Sequence, residues 1–376
     1  MKHAFPRMEI PIEGVVSHLG SAQANMREKE MNQRVQRNRK FLNDLFHGQF
    51  RRHAIIMSPE GFPPGEIGDF TISNRSLREW IPWGVKSYEE QVRWLENLDD
   101  DSVPYINLNT NTGVFASAFG CPLHEFDRSN AAALPIIKMA EEADSLKMPD
   151  LNTSIFSRIF EFAEMLREEL GREVPISVPD VQSPFDIAAM IWKKEDFFVA
   201  MYDQPDAVKR LVDKCCHLLK MFLTEFKRRI PECNMIHCPA YVWAPPEIGC
   251  SLSEDECGSM SNEMFEEFCL PSLAELSNTF GGMFMHCCAN ADHQYISFNK
   301  IPKLRGIDRR YQSSGPGPAI KAFSGRTVLM IVQYKEDDVM KIMDMAQLGT
   351  RFLFRLPHQR MEEAKRTYER LRNKCR

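Results

Sequence analysis

Short apolar runs alternate with long amphipathic segments along most of this chain, and that alternation restricts its fold more than any single motif does. The runs at 53–58, 174–179, 235–240, 282–287, 304–309, 327–332 and 351–356 have the length and composition of buried strands, with a weaker one at 105–108. Between them, segments 154–170, 184–192, 205–229, 261–279, 336–347 and 360–373 repeat apolar residues at helical spacing. Strands spaced by helices predict βα units and a parallel sheet. About eight strands over more than 300 residues suit a closed barrel better than an open sheet. The expected class is α/β: a (β/α)8 TIM barrel with an N-terminal helical extension. Residues 1–48 read as the helical lead-in and 49–376 as the barrel. No Pro/Gly/Ser-rich linker divides the chain. No G-x-G-x-x-G or Walker-type loop joins a strand to a helix, so a dinucleotide-binding fold lacks its signature.

The lead-in is charged. Residues 27–40 (REKEMNQRVQRNRK) are too polar for a core helix, and only Phe41, Leu42, Leu45 and Phe46 supply an apolar stripe before Gly48. The basic cluster between Arg34 and Arg39 reads as a solvated face rather than a nucleic-acid arm. The whole chain carries 47 Lys+Arg against 52 Asp+Glu, a net charge of −5, which gives no electrostatic reason to expect nucleic acid. No run approaches the roughly 18 apolar residues that a membrane span needs. The first residues, MKHAFPRMEIPIEG, contain no apolar core of a secretory signal. A reducing cytoplasm is expected. There, 11 cysteines, an odd number that cannot close as intrachain disulfides, serve as thiols, ligands or packing.

In such a barrel the functional groups gather where the strands end. The corresponding stretches here (58–60, 180–182, 237–243, 286–290, 308–311, 333–334 and His358) are polar and rich in metal-capable side chains. The sharpest is MFMHCCAN, 283–290. His286 and Cys288 stand two apart at a strand end, so both side chains face one side, and imidazole with thiolate makes half of a zinc site. Two ligands do not define a site, and buried cysteine is common as packing. Cys287 alternates to the other face and reads as core.

Several segments resemble the uroporphyrinogen decarboxylase superfamily, and within it the cobamide-dependent methyltransferase branch. His286-Cys287-Cys288-Ala289-Asn290 resembles that branch's H-x-C-G-N motif. DECGSMSNEMFEEFCLP (255–271) is similar to the family's acidic pair and following helix. SVPDVQSPFDIAAMIWKKEDFFVAMYDQPDAVKRLVD (177–213), DSVPYINLNTNTGVFASAFGCPLHEF (101–126) and NRKFLNDLFHGQFRRHAIIM (38–57) resemble earlier family segments in the family's order. The resemblance runs from about residue 38 to the C-terminus and implies a (β/α)8 barrel. It also implies a third zinc ligand at the end of the last strand. Family methyltransferases carry Cys there, whereas RFLFRLPHQR (351–360) offers His358, and Leu356-Pro357-His358 resembles the Leu-Gly-His of the decarboxylases. The implied activity is transfer of a methyl group from a methylcorrinoid, free or on a carrier protein, to a small thiol, with zinc held by His286, Cys288 and His358. One departure counts against tetrapyrrole decarboxylation. The Arg-rich segment that grips the porphyrin carboxylates is replaced by MSPEGFPPGEIGDF (57–70), which has no Arg and carries Glu60, Glu66 and Asp69. A decarboxylase acting on a tetrapyrrole or smaller acid, and a barrel that binds corrinoid or metal without turnover, stay as alternatives.

Other positions admit two readings. Asp255 and Glu256 serve as acid/base groups or a late metal ligand, or else solvate the loop before a helix capped by Ser261. His237 lines the barrel mouth as a proton-handling group or is a satisfied buried histidine. Tyr241 and Trp243 form an aromatic rim for an organic ligand or pack their own loop. Asp180, Gln182 and Asn290, at strand ends, complete the expected substrate contacts. Cys215 and Cys216 lie within a helical pattern and read as packing.

Overall fold

The apolar runs pair side by side in parallel, as the alternation predicts. The computed structural model describes residues 21–59, 70, 71, 73, 75–126, 129–237, 239–311, 313–332, 334–358 and 360–375. Its strands are β1 (Ala54–Pro59), β2 (Leu123–Phe126), β3 (Ser129–Ala133), β4 (Ile176–Ser177), β5 (Cys233–Asn234), β6 (Cys250–Ser253), β7 (Met283–Cys287), β8 (Leu304–Arg309), β9 (Val328–Val332) and β10 (Arg351–His358). The helices are α1 (Ser21–Phe46), α2 (Ile81–Asn97), α3 (Val114–Ala118), α4 (Ala140–Ser145), α5 (Ser154–Leu170), α6 (Pro184–Ile191), α7 (Lys194–Asp203) and α8 (Pro205–Arg229), followed by α9 (Asn262–Phe268), α10 (Leu270–Phe280), α11 (Tyr295–Phe298), α12 (Gly317–Phe323), α13 (Glu336–Asp344) and α14 (Met361–Lys374).

Six strands form one parallel sheet in the order β1-β10-β9-β8-β7-β6. Parallel bridges from Gln182 to Ser253 and from Ile106 to Ile176 carry the curve onward through the β4 stretch to residue 106. The strands therefore follow one another as 106, β4, β6, β7, β8, β9, β10, β1, with β5 paired in parallel to β4, and the fold is an α/β barrel of the (β/α)8 type. Between β1 and the 100–106 stretch two carboxylates replace much of the ladder. Asp101 accepts from the Ile55 N–H at 2.9 Å and Asp100 from the Met57 N–H at 2.7 Å, satisfying donors on a buried strand edge. Burial pushes the Asp100 pKa up to about 7.

Four expectations change. The run 235–240 is not a strand beyond Asn234. The Asn234 side chain bonds Ile236 O, Val242 O and Ala244 N, which folds the segment into a loop. The 261–279 helix is two helices, α9 and α10, because Pro271 lacks an N–H and must occupy a first turn. Cys250–Ser253, too polar to read as a strand, is β6, fully buried in the sheet. The antiparallel hairpin of β2 and β3 has no expected counterpart.

Among the described residues of the lead-in, one face of α1 is buried, while Arg27, Lys29, Glu30, Gln33, Arg37 and Lys40 stay exposed. Met31 and Val35 are buried, and so are Asn38 and Arg39. The Asn38 amide donates to the carbonyls of Asp100 and Ser102 at 2.8 Å. Arg39 reaches Glu232 at 3.0 Å and lies over the Trp243 ring. Phe46 meets Phe284 edge-on, and a Cβ at Gly306 would lie 2.9 Å from the Phe46 ring, so glycine is required there. Among the described residues no helix is long and apolar enough to cross a membrane.

Candidate functional site

Strand register assembles the site. Ser253 of β6, His286 of β7 and Asp308 of β8 stand abreast, so their side chains share one side of the sheet. His286 is buried, and its Nδ1 lies 2.8 Å from Asp308 Oδ2. That contact leaves Nε2 to face Cys288, which follows the strand end and is exposed. Asp255, just past β6, closes the group: its Oδ1 accepts from the Cys288 N–H at 2.6 Å. The ligand atoms of Asp255, His286 and Cys288 all lie within 4.8 Å of one another. Gly258 permits this approach, since a Cβ there would stand 2.7 Å from the Ala289 Cβ. Burial acts to lower the His286 pKa, but the bonds to Asp308 and Cys288 outweigh it and raise the value to about 10. A metal bound at Nε2 therefore displaces a proton. One carboxylate, one imidazole and one thiol, with a second carboxylate behind the imidazole, form a group whose donors could hold a metal ion.

Buried acids support the Asp255 loop. Asp186, in the first turn of α6, accepts from the main-chain N–H of Asp255 at 2.7 Å and of Glu256 at 3.1 Å. Glu254 is fully buried against Ser183 and Asp186. Burial first, and then mutual repulsion among the neighbouring acids, push both carboxyls above their ordinary range, Asp186 to about 7. On the other face of β7, Cys287 is core, as alternation predicts, and the fully buried Arg309 donates to its carbonyl at 3.0 Å and to the Ala289 carbonyl at 2.8 Å. This fixes the turn that carries Cys288.

A second polar group lies one strand away. His237 and Asp180 are buried with His237 Nδ1 3.6 Å from Asp180 Oδ1, and the Gln182 amide donates to the same oxygen at 2.6 Å. The Gln182–Ser253 bridge places this group beside the strand next to His286. Tyr241 and Trp243 line a narrow cleft of about 30 Å³ together with Ser58, Tyr105 and Trp94. The cleft occupies the seam between β1 and the 102–105 stretch.

The expected residues thus sort into groups. His286, Cys288 and Asp255 come together, and Asp180, Gln182 and His237 come together. Glu256 is held by Lys194 at 2.5 Å. Asn290 is exposed in the turn after Cys288. His358, the expected third ligand, ends β10 beside Pro59 of β1 and is outside the group of metal-capable side chains; Asp255 stands in its place. Glu60, Glu66 and Asp69 lie outside the described residues. Asp308 and Asp186 went unread as site residues. Asp308 was visible in the sequence as a strand-end acid, but only the register pairs it with His286.

The URO-D profile, described as uroporphyrinogen decarboxylase, matches residues 106–309. That span contains both polar groups. Among solved structures, a methyltransferase from Methanosarcina mazei is similar with a TM-score of 0.62 at 12% identity, covering 89% of this chain and 99% of the other. At that identity the likeness establishes the fold. No curated protein matches the sequence significantly.

Proposed function

Because the chain belongs to the uroporphyrinogen decarboxylase (URO-D) family, we propose that it is a zinc-dependent methyltransferase that moves a methyl group from a methylcorrinoid to a small thiol. The observation that carries this reading is the convergence of Asp255, His286 and Cys288 within 4.8 Å, with Asp308 behind the imidazole. His286 Nε2, Cys288 Sγ and an Asp255 oxygen would hold the ion. Zinc supplies one thing there: it lowers the pKa of a coordinated thiol and presents it as a thiolate. Asp308 fixes the His286 tautomer and ring direction. Asp186 holds the Asp255 main chain, and the buried acids beside it shield the loop from water. His237, backed by Asp180, accepts the proton that the thiol gives up. Tyr241, half-exposed in the seam cleft, offers flat apolar surface to the organic part of a substrate, whereas Trp243 is buried beneath Arg39 of α1.

The test begins with the metal content of protein purified in reducing, chelator-free buffer. About one zinc per chain is expected in the wild type and a strong loss in H286A and C288A. Zinc-loaded protein should then demethylate methylcobalamin in the presence of thiols. Wild-type protein without stoichiometric zinc removes the mechanism. Conversion of uroporphyrinogen to coproporphyrinogen assigns the chain to the decarboxylase side of its family.

A further inference from the structure

Beneath the metal-capable group lie two thiols that the mechanism leaves unused. Cys257 sits in the short helical turn 256–259 and Cys287 closes β7, and both are buried free thiols. Their sulfurs are 3.7 Å apart. Each is held from behind. Cys257 Sγ donates to the Glu254 carbonyl at 3.2 Å, and Arg309 Nη1 donates to Cys287 Sγ at 2.9 Å. Fixed partners thus set the separation. Closing it to a disulfide needs an approach of about 1.7 Å, because the S–S bond is about 2.05 Å long. Cover over the pair is thin. Glu256 and Gly258, on either side of Cys257, are part-exposed, and Cys288, next to Cys287, is exposed. A hydroperoxide little larger than water reaches sulfur at that depth through local opening of one turn.

The segments that carry the two thiols are joined residue by residue. The Glu254 N–H donates to the His286 carbonyl at 2.9 Å, and Asp255 Oδ1 accepts from the Cys288 N–H at 2.6 Å. A Cβ on Gly258 would stand 2.7 Å from the Ala289 Cβ, so the turn has no slack on that side. Asp255 lies two residues before one sulfur, and Cys288 one residue after the other. Drawing the sulfurs together therefore shifts Asp255 against Cys288.

We propose that Cys257 and Cys287 form a redox-active dithiol, and that its oxidation to a disulfide by a hydroperoxide distorts the Asp255–His286–Cys288 group and weakens its hold on metal. The metal half of this proposal rests on the zinc reading above. With hydrogen peroxide, one thiol attacks the O–O bond, giving a sulfenic acid and one water. The second thiol then displaces the hydroxyl as water while the S–S bond forms. The two thiols give up two protons and two electrons, and the peroxide takes up both. A dithiol reductant reverses the step by thiol–disulfide exchange.

The experiment treats zinc-loaded full-length protein with hydrogen peroxide. Peptide mass mapping should find a Cys257–Cys287 link, with loss of the mass of two hydrogens that dithiothreitol restores. C288A, which lacks the neighbouring thiol, should form the same link. Competition with a chromogenic chelator should show zinc affinity falling about tenfold or more on oxidation, as when a supporting contact to a ligand is lost, and recovering on reduction. C257A should keep its affinity through the same treatment. Absence of the 257–287 link, or a link made by Cys288 instead, overturns the proposal. Equal loss of zinc in C257A also overturns it, because Cys288 is then oxidised directly. If the wild type binds no zinc, the rate at which iodoacetamide alkylates Cys288 in the linked species replaces the chelator. A rate that differs from the reduced protein upholds the coupling and refutes the zinc reading, and an unchanged rate overturns the coupling as well. If C257A fails to fold, C257S, which keeps the size and the polar hydrogen, takes its place.

Discussion

At the residue scale the centre of the molecule is an imidazole held between a carboxylate and a thiol. Asp308 is buried and bonded to His286 Nδ1, so it fixes which nitrogen faces Cys288 and how the ring is turned. Replacing it with Asn keeps the size but removes the charge that favours a basic, correctly oriented ligand. D308N is expected to lower zinc affinity by about 10–100-fold with little change in fold, measured by competition with a chromogenic chelator. An affinity equal to wild type would show that the His286–Asp308 pair serves packing alone. Cys257 and Cys287, with sulfurs 3.7 Å apart behind the same strand, are buried and stay on the core side of β7.

At the element scale, β10 and β1 meet around His53. Its ring lies 5.0 Å from the Phe352 ring, and its Nδ1 accepts from the Phe352 N–H at 3.4 Å, a role only a nitrogen without a proton can fill. Burial lowers its pKa from 6.5 to about 4. The unfolded chain therefore takes up a proton first as the pH falls. His53's contribution is fully present above pH 6.5 and is lost on descent toward 4, amounting to about 2–3 kcal/mol. Urea midpoints of wild type and H53Q should converge over that window, because only the wild type pays the protonation term. Parallel curves would place the acid sensitivity elsewhere. The same scale explains β6. Cys-Ser-Leu-Ser carries too little apolar character to read as a strand, yet it is buried between β7 and the end of the β4 stretch. Its position follows from neighbours on both sides, which local sequence does not contain.

At the scale of the whole molecule, α1 closes the floor of the barrel opposite the site. Phe46 is buried against Phe284, whose strand delivers His286 two residues later. F46A leaves a cavity under that strand and is expected to cost about 3–5 kcal/mol, seen as a lower urea midpoint. A cost under about 1 kcal/mol would mean that the helix caps the barrel without supporting it. The polar face of α1 is part of the same closure. Arg39, Asn38 and Arg34 are spent on Glu232 and on carbonyls at 95, 100 and 102. A helix this polar can bury one face where donors such as the Asn38 amide, Arg34 Nη1 and Arg39 Nη1 meet acceptors already fixed in place.

The sequence by itself determined the class of fold, most strands and helices, and the pair His286 and Cys288, because these depend on periodicities of two and 3.6 and on spacing within one strand. It also placed Asp255, Asp180, Gln182 and His237 at strand ends without saying how they combine. Only the tertiary structure decided that Asp255 rather than His358 completes the metal-capable group, that Asp308 stands behind His286, and that one face of the polar helix α1 is buried. Each of those outcomes turns on register between strands or on a partner far away in the chain. Neither is encoded in the pattern of the residues that depend on it.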